Sequence, residues 1–164
     1  FVPDDDVVGA VEGGWTVARA TLGNERVSIG SASSASRSAV DLAALVSRHR
    51  SDDQAVQRTV AGVIATEQAM RMVNLRHVAK AVAGSTAGPE GSVTKLLSAE
   101  ISQRVSEVAM EICGEAGIIG DESTVAYDYL FRRAITIAGG TSEINRNVIA
   151  ERVLGLPREV IPRT

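Results

Sequence analysis

The strongest constraint on this chain is a single apolar stripe. Val93, Leu97, Ile101, Val105, Val108 and Ile112 recur at spacings of three and four residues, the repeat that gathers side chains on one face of an α-helix. They predict a helix from Val93 to about Ile112, closed at Cys113-Gly114. Two further stripes come before it. Trp15, Ala18, Leu22, Ile29 and Ala32 predict a helix from Trp15 to about Val46. Val56, Val60, Ile64 and Val78 predict another from Asp53 to about Ala83, with Ser51-Asp52-Asp53 offering its N-cap. Beyond the central stripe, Gly117 to Asp121 reads as a turn, and Ser123 as the cap of a shorter helix with an apolar face of Tyr127, Leu130, Phe131 and Ala134. Arg132 and Arg133 end that helix, where its dipole favours cations. A last helix follows Thr141. No segment alternates with period two for long enough to make a sheet. The expectation is an all-α fold, an antiparallel four-helix-type bundle with additional C-terminal helices. It occupies 15–164, behind a turn-rich segment 1–14 that reads as a linker or the tail of a preceding domain.

Composition narrows the function classes. Aromatic residues are only 3% of a chain that is 45% hydrophobic, so the core must be aliphatic. A net charge of -3, with both signs interspersed, leaves no basic footprint for nucleic acid and no polybasic membrane patch. The lone cysteine, Cys113, excludes an intrachain disulfide and suits a reducing cytoplasm. No apolar run approaches a membrane span, and Phe1 opens no signal peptide, so the chain reads as soluble and as beginning mid-protein or after processing.

Two features carry chemistry. Glu25 falls on the apolar stripe of the first helix, between Leu22 and Ile29. A carboxylate there must be paired, neutral or functional, because an ionised group is costly to bury. An interhelical salt bridge and a catalytic base both satisfy that condition. The second feature is Gly139-Gly140-Thr141-Ser142-Glu143, where a glycine pair lets a ligand approach the backbone and Thr141 or Ser142 can N-cap the helix that follows. The free amides of its first turn suit an anion, though a plain tight turn explains the same residues. Gly155 and Pro157 end that helix. His49 and His77 lack the glutamates of a di-iron bundle, and there is no phosphate loop, nucleophile motif or metal-ligand spacing. What remains suits removal of a proton beside a carbonyl, with backbone amides free for an anionic cofactor or substrate group.

The wording of Gly139 to Pro157 resembles the C-terminal segment of the acyl-CoA dehydrogenase family. Asn24-Glu25-Arg26, Gly88 to Leu96 and Arg133 to Ala138 match the family in the same order. The resemblance covers nearly the whole chain but only the family's C-terminal part. It implies α,β-desaturation of an acyl-CoA, with FAD as cofactor and an electron-transfer flavoprotein as acceptor. In the branch that includes isovaleryl-CoA dehydrogenase, a glutamate directly before an arginine on this helix is the base, and Glu25-Arg26 occupies that place. By match, Thr141 and Glu143 sit where the family contacts FAD, and Gly140 where the loop touches substrate; Arg26 helps order the site or pairs with an acid elsewhere.

Three departures accompany the match. The family's more common position for the base holds Gly139, so the resemblance leaves Glu25 as the base unless the chain is inactive. The family's Arg-x-x-Phe-Gly, whose arginine reaches the neighbouring subunit's FAD, has no Phe-Gly here; Ala44 to Asp53 offers Arg48 and Arg50. Its Gln-x-x-Gly-Gly turn reads Glu111-Ile112-Cys113-Gly114-Glu115. Two added carboxylates would repel a pyrophosphate by roughly 1 kcal/mol per close, solvated pair. Residues serving the chain's own site survive while those serving a neighbour's are altered, which favours a paralogous partner subunit; a homo-oligomer in which Arg48 or Arg50 substitutes for the missing arginine is the other reading of the same residues. A non-catalytic subunit or assembly domain of the same descent is the alternative.

Overall fold

The computed structural model describes residues 3–31, 37–84, 88–119 and 123–158, with side chains described except at 23–31, 81 and 123. After a single 3-10 turn, Asp4–Asp6, the helices are α1 (Gly14–Ser31), α2 (Asp41–His49), α3 (Gln54–Val82), α4 (Gly91–Cys113), α5 (Glu115–Ile119), α6 (Ser123–Ile135) and α7 (Ser142–Val148), the last continued by a π-helical turn, Ile149–Val153. No strand occurs among the described residues, and the architecture is the expected all-α antiparallel bundle with additional C-terminal helices.

The central stripe forms the middle of the fold. Helix α4 packs against α1, α2, α3, α5, α6 and α7. Its Ile101, Val105, Val108 and Ile112 join Leu42 and Leu45 of α2, Val56 and Val60 of α3, and Val125 of α6 in one aliphatic cluster. Gly114 closes α4 at φ +52, with its N–H donating to the Met110 carbonyl at 2.8 Å, a conformation that favours glycine. Helix α3 starts as its sequence predicts. The Asp53 carboxylate accepts from the Ala55 and Val56 amides at 3.0 and 3.1 Å.

Five expectations need correction. The predicted helix from Trp15 to Val46 is two helices, because a new start intervenes: the Ser38 N–H and hydroxyl both donate to the Asp41 carboxylate, at 2.7 and 3.2 Å. Trp15, expected inside, is 71% exposed. The expected turn from Gly117 to Asp121 is helical in its first part, since Glu115–Ile119 forms a helix, while Gly120 and Asp121 lie outside the described residues; a Cβ on buried Gly117 would lie 3.1 Å from that of Cys113, a tight contact that glycine avoids where α5 meets α4. On α3, Val78 is 50% exposed, because the inward line runs through Val56, Val60 and Val63 to half-buried Glu67 and His77.

The fifth correction concerns α6. Tyr127, Leu130 and Phe131 are 65%, 70% and 55% exposed and Ala134 is exposed, while Val125 and Arg132 are buried. Tyr127 and Phe131 stack on each other at 5.7 Å on the outer surface. The inward face is fixed by Arg132, whose guanidinium donates to the Ser102 hydroxyl of α4 and, at 2.8 Å, to the Arg37 carbonyl. Rotating α6 to bury its aromatics would remove those partners from a buried cation, at several kcal/mol.

Removing the α3 cap tests how far that helix relies on local sequence. Asp53→Ala is expected to lower stability by about 1 kcal/mol, read as a lower urea midpoint with an unchanged slope.

Candidate functional site

The glycine-rich stretch forms a turn between α6 and α7. Gly139 and Gly140 have φ +68 and +99, the left-handed region in which a side chain is strained, so this turn requires its glycine pair. The Gly140 N–H donates to the Ile137 carbonyl at 3.2 Å. Thr141 then caps α7, its hydroxyl oxygen accepting from the Ile144 N–H at 3.3 Å. Downstream, Gly155 at φ +69 ends the π-helical turn, and the Leu156 N–H reaches back to the Ala150 carbonyl at 2.9 Å.

Two buried side chains hold the turn from below. Lys95 of α4 is completely buried; its Nζ donates to the Gly140 carbonyl at 2.6 Å and the Thr136 carbonyl at 3.3 Å. Asn145 of α7, equally buried, donates from Nδ2 to the carbonyls of Gly140 at 2.8 Å and Thr141 at 2.9 Å. Its Oδ1 has no protein partner. The glycine turn is thus tied to both helices that flank it in space.

The outer side of the turn is anionic and open. Glu143 is exposed, and its carboxylate is held below the usual range, first by its own backbone N–H, then by the Thr141 hydroxyl, with the charges of Arg146 and Lys95 adding to both. Arg146 lies 3.8 Å from Glu143 and 2.8 Å from Glu100 of α4. An ionised carboxylate accepts from hydroxyl or amino groups and repels phosphate.

Of the residues singled out in the sequence, Gly140, Thr141 and Glu143 come together in this turn, as adjacency requires. Glu25 and Arg26 lie within α1, which packs on α4, but their side chains are outside the described residues. Glu111 and Glu115 are both exposed at the end of α4, and Arg50 lies 3.8 Å from Asp53. Sequence reasoning missed Lys95, Asn145 and Arg132 as site-building residues. One signal was present: Ser92, Lys95, Ala99, Ser102, Ser106, Ala109 and Cys113 form a second stripe at helical spacing. Its small members let other elements approach α4 closely. No group of three or more His, Cys, Asp or Glu side chains could hold a metal ion among the described residues, and no described helix is long and apolar enough to cross a membrane.

Residues 12–154 match the family model described as acyl-CoA dehydrogenase, C-terminal domain, and the chain belongs to the acyl-CoA dehydrogenase family. It is 39% identical over 158 residues to acyl-CoA dehydrogenase FadE34 of Mycobacterium tuberculosis, covering 96% of this chain and 22% of that protein. It is 38% identical over 160 residues to acyl-CoA dehydrogenase IpdE1 of Mycolicibacterium smegmatis, covering 94% of this chain and 40% of that protein. Among solved structures, the Tcur3481-Tcur3483 steroid ACAD superposes with a TM-score of 0.79 at 26% identity, over 96% of this chain and 44% of that one. The chain therefore spans less than half the length of each of these relatives.

The lowered Glu143 carboxylate gives a pH test. Its ionised form is favoured by folding, so its contribution to stability is complete above the ordinary glutamate range, roughly 4.3, and is lost as pH falls through the lowered folded value. The melting temperature of wild type is expected to exceed that of Glu143→Gln at neutral pH, and the two are expected to converge on acidification.

Proposed function

We propose that this chain is the C-terminal domain, residues 15–164 behind a linker at 1–14, of a flavin-dependent acyl-CoA dehydrogenase that desaturates an acyl-CoA thioester. The observation that carries the reading is the pinned turn of Gly139 and Gly140 leading into Thr141 and the exposed, ionised Glu143, in a domain of that family. These residues fit FAD: the turn admits close backbone approach, and Thr141 and Glu143 supply polar contacts suited to its hydroxyl-bearing portion. FAD held there would supply the acceptor for the substrate's β-hydrogen, which leaves as hydride. Glu25 is the base that takes the α-proton, Gly140 meets the substrate, and Arg26 orders the site beside Glu25.

The acyl group is proposed to be of the steroid-derived kind that the Tcur3481-Tcur3483 structure names for its own protein. An electron-transfer flavoprotein in the cytoplasm is the proposed acceptor. The partner is proposed to be a paralogous subunit. That structure's name joins two proteins; on this chain, Glu111 and Glu115 are exposed carboxylates that would repel a pyrophosphate brought near them. The exposed Tyr127, Leu130 and Phe131 add apolar surface suited to assembly.

In the full-length enzyme, Glu25→Gln should lower turnover by roughly 10²–10⁴-fold, with flavin content and melting temperature near wild type, because the amide is isosteric but cannot accept a proton. Unchanged activity would place the base elsewhere. Full-length protein expressed alone and with its paralogue separates the assembly readings by bound FAD per protomer. Flavin at about half stoichiometry, seen only on co-expression, is expected; full occupancy and activity when expressed alone would end the heteromer proposal.

A further inference from the structure

Lys95 and Asn145 take no part in the chemistry above, yet both are completely buried and both bond one backbone atom, the carbonyl oxygen of Gly140, at 2.6 and 2.8 Å. A carbonyl oxygen has two lone pairs, so one is engaged from α4 and the other from α7. In a trans peptide the N–H points opposite to the C=O. Fixing the Gly140 carbonyl toward the buried ammonium therefore turns the Thr141 N–H outward, to the side where Thr141 and Glu143 are accessible. The remaining bonds reach the carbonyls on either side, Thr136 from Lys95 and Thr141 from Asn145, so the turn is held at three successive points.

Holding a loop with a buried cation is thermodynamically expensive. Apolar replacements of buried charges are often neutral or stabilising, so packing alone does not call for a lysine here. Glycines at φ +68 and +99 have the widest conformational freedom of any residue, and the turn they form needs an outside constraint to keep one shape. We propose that Lys95 and Asn145 are paired positioning residues that clamp the Gly140 carbonyl, so that the Gly139–Thr141 turn is preorganised to receive cofactor and substrate. The proposal rests on the flavin reading for what the turn receives, but not for the clamp itself.

The test uses Lys95→Met, Asn145→Leu and the double variant in the full-length protein. Hydrogen exchange without ligand reads the clamp. Amides of 139–146 are expected to exchange about tenfold or more faster in each single variant, with those of 101–112 unchanged. The double variant should fall short of the product of the singles, because both side chains act on one carbonyl. Ligand binding reads the function. The FAD Kd and the substrate KM should rise about tenfold, with kcat at saturation within about threefold of wild type, because the proposed base stands on another helix. Unchanged exchange at 139–146, equal acceleration at 101–112, or a loss confined to kcat would each overturn the clamp. Wild-type protein that binds no FAD would instead refute the flavin reading, and the exchange result would still decide the clamp.

Discussion

Two stripes of side chains run along α4, and the rest of the domain is arranged by what each can accept. Ile101, Val105, Val108 and Ile112 enter the aliphatic cluster with α2, α3 and α6. Such burial is worth about 1.5–3 kcal/mol per large aliphatic side chain and has no directional preference. The neighbouring stripe of Ser92, Lys95, Ala99, Ser102, Ser106, Ala109 and Cys113 is small or polar, and its polar contacts are directional: Lys95 binds the glycine turn and Ser102 binds Arg132. The first stripe makes the bundle form, and the second decides how the C-terminal helices sit on it.

Arg132 shows how those directional contacts override local pattern. Burial lowers its pKa from the usual guanidinium range, yet that range is high enough for the group to remain a cation, and its bonds to Ser102 and the Arg37 carbonyl are what make the burial tolerable. On the same helix Arg133 lies over the Tyr129 ring at 4.4 Å and pairs with Glu107 at 3.1 Å. Two adjacent arginines thus fix the rotation of α6, one from inside and one from the rim. The aromatic pair Tyr127 and Phe131 is left outside as a consequence.

The candidate site inherits its geometry from this arrangement. The glycine turn begins where α6 ends, so the rotation of α6 sets where Thr136 and Gly140 present their carbonyls to Lys95. Thr141 and Glu143 then complete the start of α7 on the accessible side. Buried polar groups below and open polar groups above give the turn a fixed inner face and an accessible outer one.

The sequence by itself determined the helical class, the extent of α3 and α4, a cap for α3 within Ser51-Asp52-Asp53, the Gly114 and Gly155 stops and a cap for α7 at Thr141 or Ser142, because each depends on contacts within a few residues along the chain. The family resemblance was legible for the same reason: its motifs are contiguous. Tertiary structure alone decided that Arg132 lies inside while Leu130 and Phe131 lie outside, that the first helix restarts at Ser38 and Asp41, and that Lys95 and Asn145 share one carbonyl. Those outcomes depend on partners far away in sequence, such as Arg37 for Arg132 and Gly140 for Lys95. Periodicity reports which residues share a helix face; it carries no information about which distant donor or acceptor will be waiting there.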